Sequence, residues 1–180
     1  MFDPHPGVTA ERAAAPIHRF TFGEGLVAGD DWSDLHNGFA WKAGEDAFFL
    51  SHSHAGQVFL APYDRTTGRL GKPAPFAEIR TEGHVPDGAA MDQEGCYWCA
   101  VHGGGVLNRY DPSGDLIAQV TLPVSQPTMC AFVGPELDEM VVTSARQKLS
   151  EDELKREPHA GGLFRLRPGV RGLPRPSIVR

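Results

Sequence analysis

An amide and a carboxylate, Asn37 and Asp87, stand fifty residues apart in matching surroundings. Each precedes a glycine and a short apolar run, Asn37-Gly38-Phe39-Ala40-Trp41 and Asp87-Gly88-Ala89-Ala90-Met91. Thr128 holds the equivalent place 41 residues further on, in Pro127-Thr128-Met129-Cys130-Ala131-Phe132. Amide and carboxylate oxygens are hard donors, suited to Ca²⁺, Mg²⁺ or Mn²⁺. A carboxylate beside such a cation can also take a proton from water. The same letters have a plainer reading, because Asn-Gly and Pro-Asp-Gly are ordinary turn signals.

Chemistry at these positions requires strands that deliver them to one place. The run from Val85 to Ala100 reads as a bend, a strand, a tight turn at Asp92-Gln93-Glu94-Gly95 and a second strand. His36–Trp41 with Ala47–Leu50, and Pro127–Phe132 with Met140–Thr143, repeat the pattern. Each unit continues into a glycine-led strand, at Gly56–Leu60, Gly105–Tyr110 and Gly162–Leu166. A repeat of roughly 40–50 residues with several short strands predicts propeller blades. The first complete unit runs from Leu35 to Ala77 and the second from Ile79 to Leu122. The third starts at Val124 and carries an insertion, in which Ser150 and Glu153 form a capping-box pattern before a helical turn. Ahead of the first unit, Ile17–Phe22, Gly23-Glu24-Gly25 and Leu26–Ala28 read as a hairpin, the outer half of a further blade. Residues 1–15 are expected to be a flexible leader and residues 16–180 the propeller domain, with an edge strand near the end of the tail, Val170 to Arg180.

Composition narrows the function classes. The 180 residues can bury a sizeable core, and 41% hydrophobic with 22% charged is ordinary for a soluble globular protein. With 21 Gly and 15 Pro the chain favours turns over long helices. A net charge of −6 disfavours a nucleic-acid partner. No apolar run reaches the roughly 18–20 residues of a membrane span, so no membrane partner is expected. Met1 to Ala15 lacks the basic and apolar regions of a secretory signal, and the expected location is cytoplasmic. Cys96-Tyr97-Trp98-Cys99 has CxxC spacing, yet residues i and i+3 of a strand point to opposite faces. The three cysteines read as small core residues, with a redox or zinc role as the alternative. In Ser51-His52-Ser53-His54 both imidazoles would share one face if the strand persisted, a spacing that could bind zinc; a polar loop is the other reading.

Taken together, Pro86-Asp87-Gly88 through Gly95, Trp98, His102–Val106 and Tyr110-Asp111-Pro112-Ser113-Gly114 resemble the gluconolactonase family. That family also includes regucalcin (senescence marker protein) and luciferin-regenerating enzymes. Leu122-Pro123-Val124, Thr128, Met140–Arg146 and Ala160–Phe164 look like its C-terminal region, and Asn37-Gly38 fits as well. The resemblance covers roughly residues 17 to 172 and implies an all-β fold, a partial β-propeller of about three to three-and-a-half of the family's six blades. It implies a divalent cation in a central channel, with Asn37 as a metal ligand and Asp87 as metal ligand and catalytic general base. Calcium is the expected ion, with Zn²⁺, Mn²⁺ or Mg²⁺ as alternatives. The family's third ligand, a Glu in a Gly-Glu-Gly-Pro motif, and its substrate-contacting Arg and Asn belong to earlier blades, which this sequence does not show. Gly23-Glu24-Gly25-Leu26 echoes that motif, but only 13 residues separate Glu24 from Asn37, so it reads as a turn.

The implied function is metal-dependent hydrolysis of a sugar lactone. His36, His102 and Arg146 are candidate substrate contacts at the channel end, Arg146 with a surface cation as its equal alternative. Open radial faces suggest a homo-oligomer of paired half-rings. The alternative function is an inactive propeller fragment that serves as a binding or oligomerisation module.

Overall fold

The computed structural model describes residues 15–21, 23–33 and 35–174. The expected leader, apart from Ala15, and the last six residues of the tail lie outside the described residues. A hairpin of β1 (Ala15–Thr21) and β2 (Gly25–Ser33) comes first. Three antiparallel meanders follow. The first sheet contains β3 (His36–Trp41), β4 (Ala47–His52), β5 (Gln57–Asp64), a short β6 (Arg69–Leu70) and β7 (Ala74–Glu78), with β6 and β7 both pairing β5. The second is β8 (Val85–Met91), β9 (Tyr97–His102), β10 (Val106–Tyr110) and β11 (Leu116–Thr121), paired in that order. The third is β12 (Pro127–Val133), β13 (Glu139–Ser144) and β14 (Leu163–Leu166). The first strand of each sheet lies beside the first strand of the next, β3 against β8 and β8 against β12. Sheets stacked by their first strands are propeller blades. The chain is a partial β-propeller, and among the described residues its sheets do not close into a ring.

The middle blade shows why the sheets stack. In a strand, successive side chains point to opposite faces. Tyr97 and Cys99 pack with Phe49, Val58, Ala89 and Met91 on the first-blade side. Trp98 and Ala100 pack with Leu107, Cys130, Met140 and Val142 on the third-blade side. A strand buried on both faces carries no polar alternation, which is why Tyr97–Val101 reads as one apolar run. The far face of the first blade carries Trp41 and Phe48 with ring centroids 4.6 Å apart, Tyr63 4.4 Å from Trp41, and Phe39, which is 45% exposed.

The β8–β9 turn is locked from inside. Asp92 is fully buried. Its Oδ1 accepts from the Glu94 and Cys96 N–H groups, and its Oδ2 from Trp98 Nε1 (2.9 Å) and Arg109 Nε (2.8 Å). Arg109 also stacks over the Trp98 ring and pairs with Glu94. The tail crosses here, with Leu173 N donating to Met91 O and Gly172 bridging Asp92. In the third blade's insertion, α1 (Glu151–Arg156) begins at the expected capping box of Ser150 and Glu153. Among the described residues no helix is long and apolar enough to cross a membrane.

Candidate functional site

The candidate residues sit where the ladders break. Register shifts fall between Asn37 and Ala40 in β3, Pro86 and Ala89 in β8, and Pro127 and Met129 in β12. A bulge re-aims the side chain it carries. Asn37, Asp87 and Thr128 therefore occupy equivalent irregular positions at one end of three neighbouring strands. The glycines that follow the first two are required by packing. A side chain at Gly38 would run into Tyr97 Oη and Ser51 Oγ, and its φ of +64° is left-handed. A Cβ at Gly88 would run into the Met129 sulfur and lie 2.7 Å from the Thr128 carbonyl oxygen.

Asn37 and Asp87 are joined by a short relay. Asn37 Nδ2 donates to Ser53 Oγ at 3.1 Å, and Ser53 Oγ donates to the Pro86 carbonyl at 2.7 Å, one residue before Asp87. Ser53 is fully buried. With its nitrogen engaged, the Asn37 amide keeps Oδ1 as its remaining polar end. Tyr97 Oη, from β9 of the middle blade, donates to the Gly38 carbonyl at 2.8 Å and adds a second link between the two blades. Asp87 is half-buried, and burial raises its carboxyl from the ordinary 3.8 to about 6, only partly offset by the Gly88 N–H. Ser51 Oγ, opposite Asn37 in the β3–β4 register, is buried with no hydrogen-bond partner among the described residues.

The remaining candidates share this end less closely. His36 precedes Asn37 and pairs in register with His52. His102 pairs with Val85, two residues before Asp87, and burial holds it below the usual imidazole range. Arg146 is exposed beyond β13, and its stem lies against Gly161, ahead of the outermost strand β14. The shared-face reading of His52 and His54 fails, because β4 ends at His52 and Ser53–Ala55 turns as a 3-10 helix. Glu24 lies in the β1–β2 turn and pairs with Arg19 at 2.8 Å. Cys96, Cys99 and Cys130 are free and buried, and burial pushes the Cys99 thiol well up. The sequence reading missed Ser53 and Tyr97. The signal for Ser53 was the polar Ser51–His54 run directly after an apolar strand.

By donor chemistry alone, Asn37 Oδ1 and the Asp87 carboxylate are hard oxygens of the kind a divalent cation takes. Among the described residues no group of three or more His, Cys, Asp or Glu could hold a metal ion. Calcium takes about 6–8 oxygens, so these two residues alone would not complete its shell.

Residues 5–146 match the SMP-30/Gluconolactonase/LRE-like region. The chain belongs to that family. Regucalcin of Gallus gallus is 35% identical over 166 residues, which are 91% of this chain and 56% of that protein. Regucalcin of Oryctolagus cuniculus is 38% identical over 146 residues, 80% of this chain and 49% of that protein. The chain thus spans about half the length of the relatives it matches. Among solved structures, the calcium-binding protein regucalcin of Agrobacterium tumefaciens matches with a TM-score of 0.81 and 28% identity, over 89% of this chain and 55% of that one. A luciferin-regenerating enzyme matches with a TM-score of 0.78 and 26% identity, over 87% of this chain and 52% of that one. A gluconolactonase of Xanthomonas campestris, at 21% identity over 76% of this chain and 43% of that one, shares the fold with a TM-score of 0.63.

Proposed function

We propose that this chain supplies the metal-holding and proton-accepting strands of a sugar lactonase, with calcium as the ion. Asn37 Oδ1 and Asp87 hold the cation. A cation bound there would polarise the lactone carbonyl and steady the negative charge that develops on it. Asp87 takes a proton from the attacking water as the new C–O bond forms. It returns that proton to the ring oxygen as the ring C–O bond breaks. Burial raises the Asp87 carboxyl in the metal-free chain, and a cation bound beside it would favour the charged form that can accept a proton. His36 and His102 contact the lactone from the same end, with Arg146 further out. The observation that carries the reading is the Asn37–Ser53–Pro86 relay, which couples the two oxygen donors across neighbouring blades.

Hydrolysis of gluconolactone by the purified chain, with calcium and with EDTA, tests it. Turnover is expected only with the metal and is expected to fall at least 100-fold in Asp87→Ala, a typical loss for a general base. Metal-independent turnover, or an unaffected variant, ends the proposal. A second reading, an inactive binding module, is favoured by the small donor set among the described residues. Calcium binding without turnover would select it. In either case a second copy, paired through the open sheet faces, would bring its own Asn37 and Asp87 to the channel.

A further inference from the structure

We propose that Ser53 is a positioning residue that decides which end of the Asn37 amide faces the metal. The inference rests on the metal site proposed above. A serine hydroxyl has one proton to donate and lone pairs to accept. The Pro86 carbonyl can only accept, so the 2.7 Å contact fixes that proton on Pro86 O. Ser53 Oγ therefore meets Asn37 as an acceptor, and only the amide NH₂ can satisfy it at 3.1 Å. The reversed amide would set two acceptors against each other. Oδ1, the end a hard cation needs, is then forced to the opposite side. The direction is imposed by a backbone carbonyl on the strand that carries Asp87, so one hydroxyl orients the first donor and ties it to the second.

Ser53 can do this because the chain leaves β4 at His52 and turns as a 3-10 helix, which puts Ser53 inside, fully buried. Ser53 N also donates to Leu35 O (3.2 Å), so its backbone is held beside the start of β3. Partners behind a metal ligand typically contribute 10–100-fold in affinity.

The test separates orientation from general support. Calcium affinity of the full chain is measured by calorimetry with calcium chloride, for the wild type, Ser53→Ala, Asn37→Asp and the double variant. An aspartate at 37 has two equivalent oxygens and needs no orienting partner. Ser53→Ala is expected to weaken calcium binding about 10–100-fold beside Asn37, and less than about 3-fold beside the Asn37→Asp change. Equal losses in both backgrounds, or none in either, overturn the inference, since a strand tie alone would affect both alike. If Ser53→Ala does not fold by circular dichroism, Ser53→Cys, with its weak S–H donor, replaces it under the same prediction. Absence of calcium binding by the wild type removes the metal site itself, and the inference with it.

Discussion

Replacing Asp87 by asparagine is expected to make the metal-free chain more stable. The carboxyl moves from 3.8 to about 6 because burial disfavours its charged form, and no cationic side chain is among the groups that act on it. Asparagine keeps the shape and can still accept from the Gly88 N–H. A shift of about two units is worth about 3 kcal/mol at most, at 1.36 kcal/mol per unit. Asp87 is only half-buried, so water screening brings the expected gain to about 1–2 kcal/mol. For a chain of this size that is a rise in Tm of about 2–8 °C.

The pH dependence gives the sign. Between about pH 4 and 6 the folded wild type keeps a proton that the unfolded chain has lost. Its stability is therefore highest below about pH 4 and falls as pH rises through about 6. The variant lacks this step, so the two curves should coincide at low pH and separate fully by about pH 7. Thermal melts in EDTA across this range read the effect. Calcium should reverse the ranking, because a cation beside Asp87 favours the charged form and stabilises only the chain that binds it. A variant less stable than the wild type in EDTA at neutral pH, or a difference that does not change with pH, would refute the reasoning.

Asp92→Ala should cost about 3 kcal/mol in urea unfolding, because it leaves the buried Trp98 Nε1 without an acceptor and Arg109 with Glu94 alone; a loss under about 1 kcal/mol would show that water replaces the carboxylate. Sedimentation of the calcium-loaded chain should give twice its 19.5 kDa if paired half-rings complete the site, and a monomer mass with and without calcium removes that pairing.

Much of the scaffold is legible because two local signals coincide. The reading of His36–Trp41 as a strand matches β3, and the turn read at Asp92–Gly95 forms with Asp92 Oδ1 accepting from Glu94 N. Both rest on residues close in sequence. What the sequence hides depends on distant partners. Asp92 reads only as a turn opener, yet it is the buried counter-ion of Arg109, 17 residues later. Ser53 reads as an alternating strand or loop residue, and its role exists only because the backbone tightens after His52 and Pro86 arrives from another blade.

The Asn-Gly and Asp-Gly pairs are the sharpest case, because their usual meaning is wrong here. Neither glycine makes a hairpin; Gly38 and Gly88 lie inside β3 and β8. Gly38 lets Tyr97 Oη and the Asp87 backbone carbonyl approach from the second blade. Gly88 lets the Thr128 carbonyl and Met129 approach from the third. Each glycine is the space through which the next blade packs, immediately after the residue at the register shift. At the third position the order changes: Thr128 is followed by Met129, whose own side chain fills the space over Gly88. Thr128 Oγ1 is also engaged, 2.7 Å from Thr143 Oγ1 within its own sheet. The same bulge therefore carries an amide in the first blade, a carboxylate in the second and a self-satisfied hydroxyl in the third, which is why the proposed site is placed on β3 and β8.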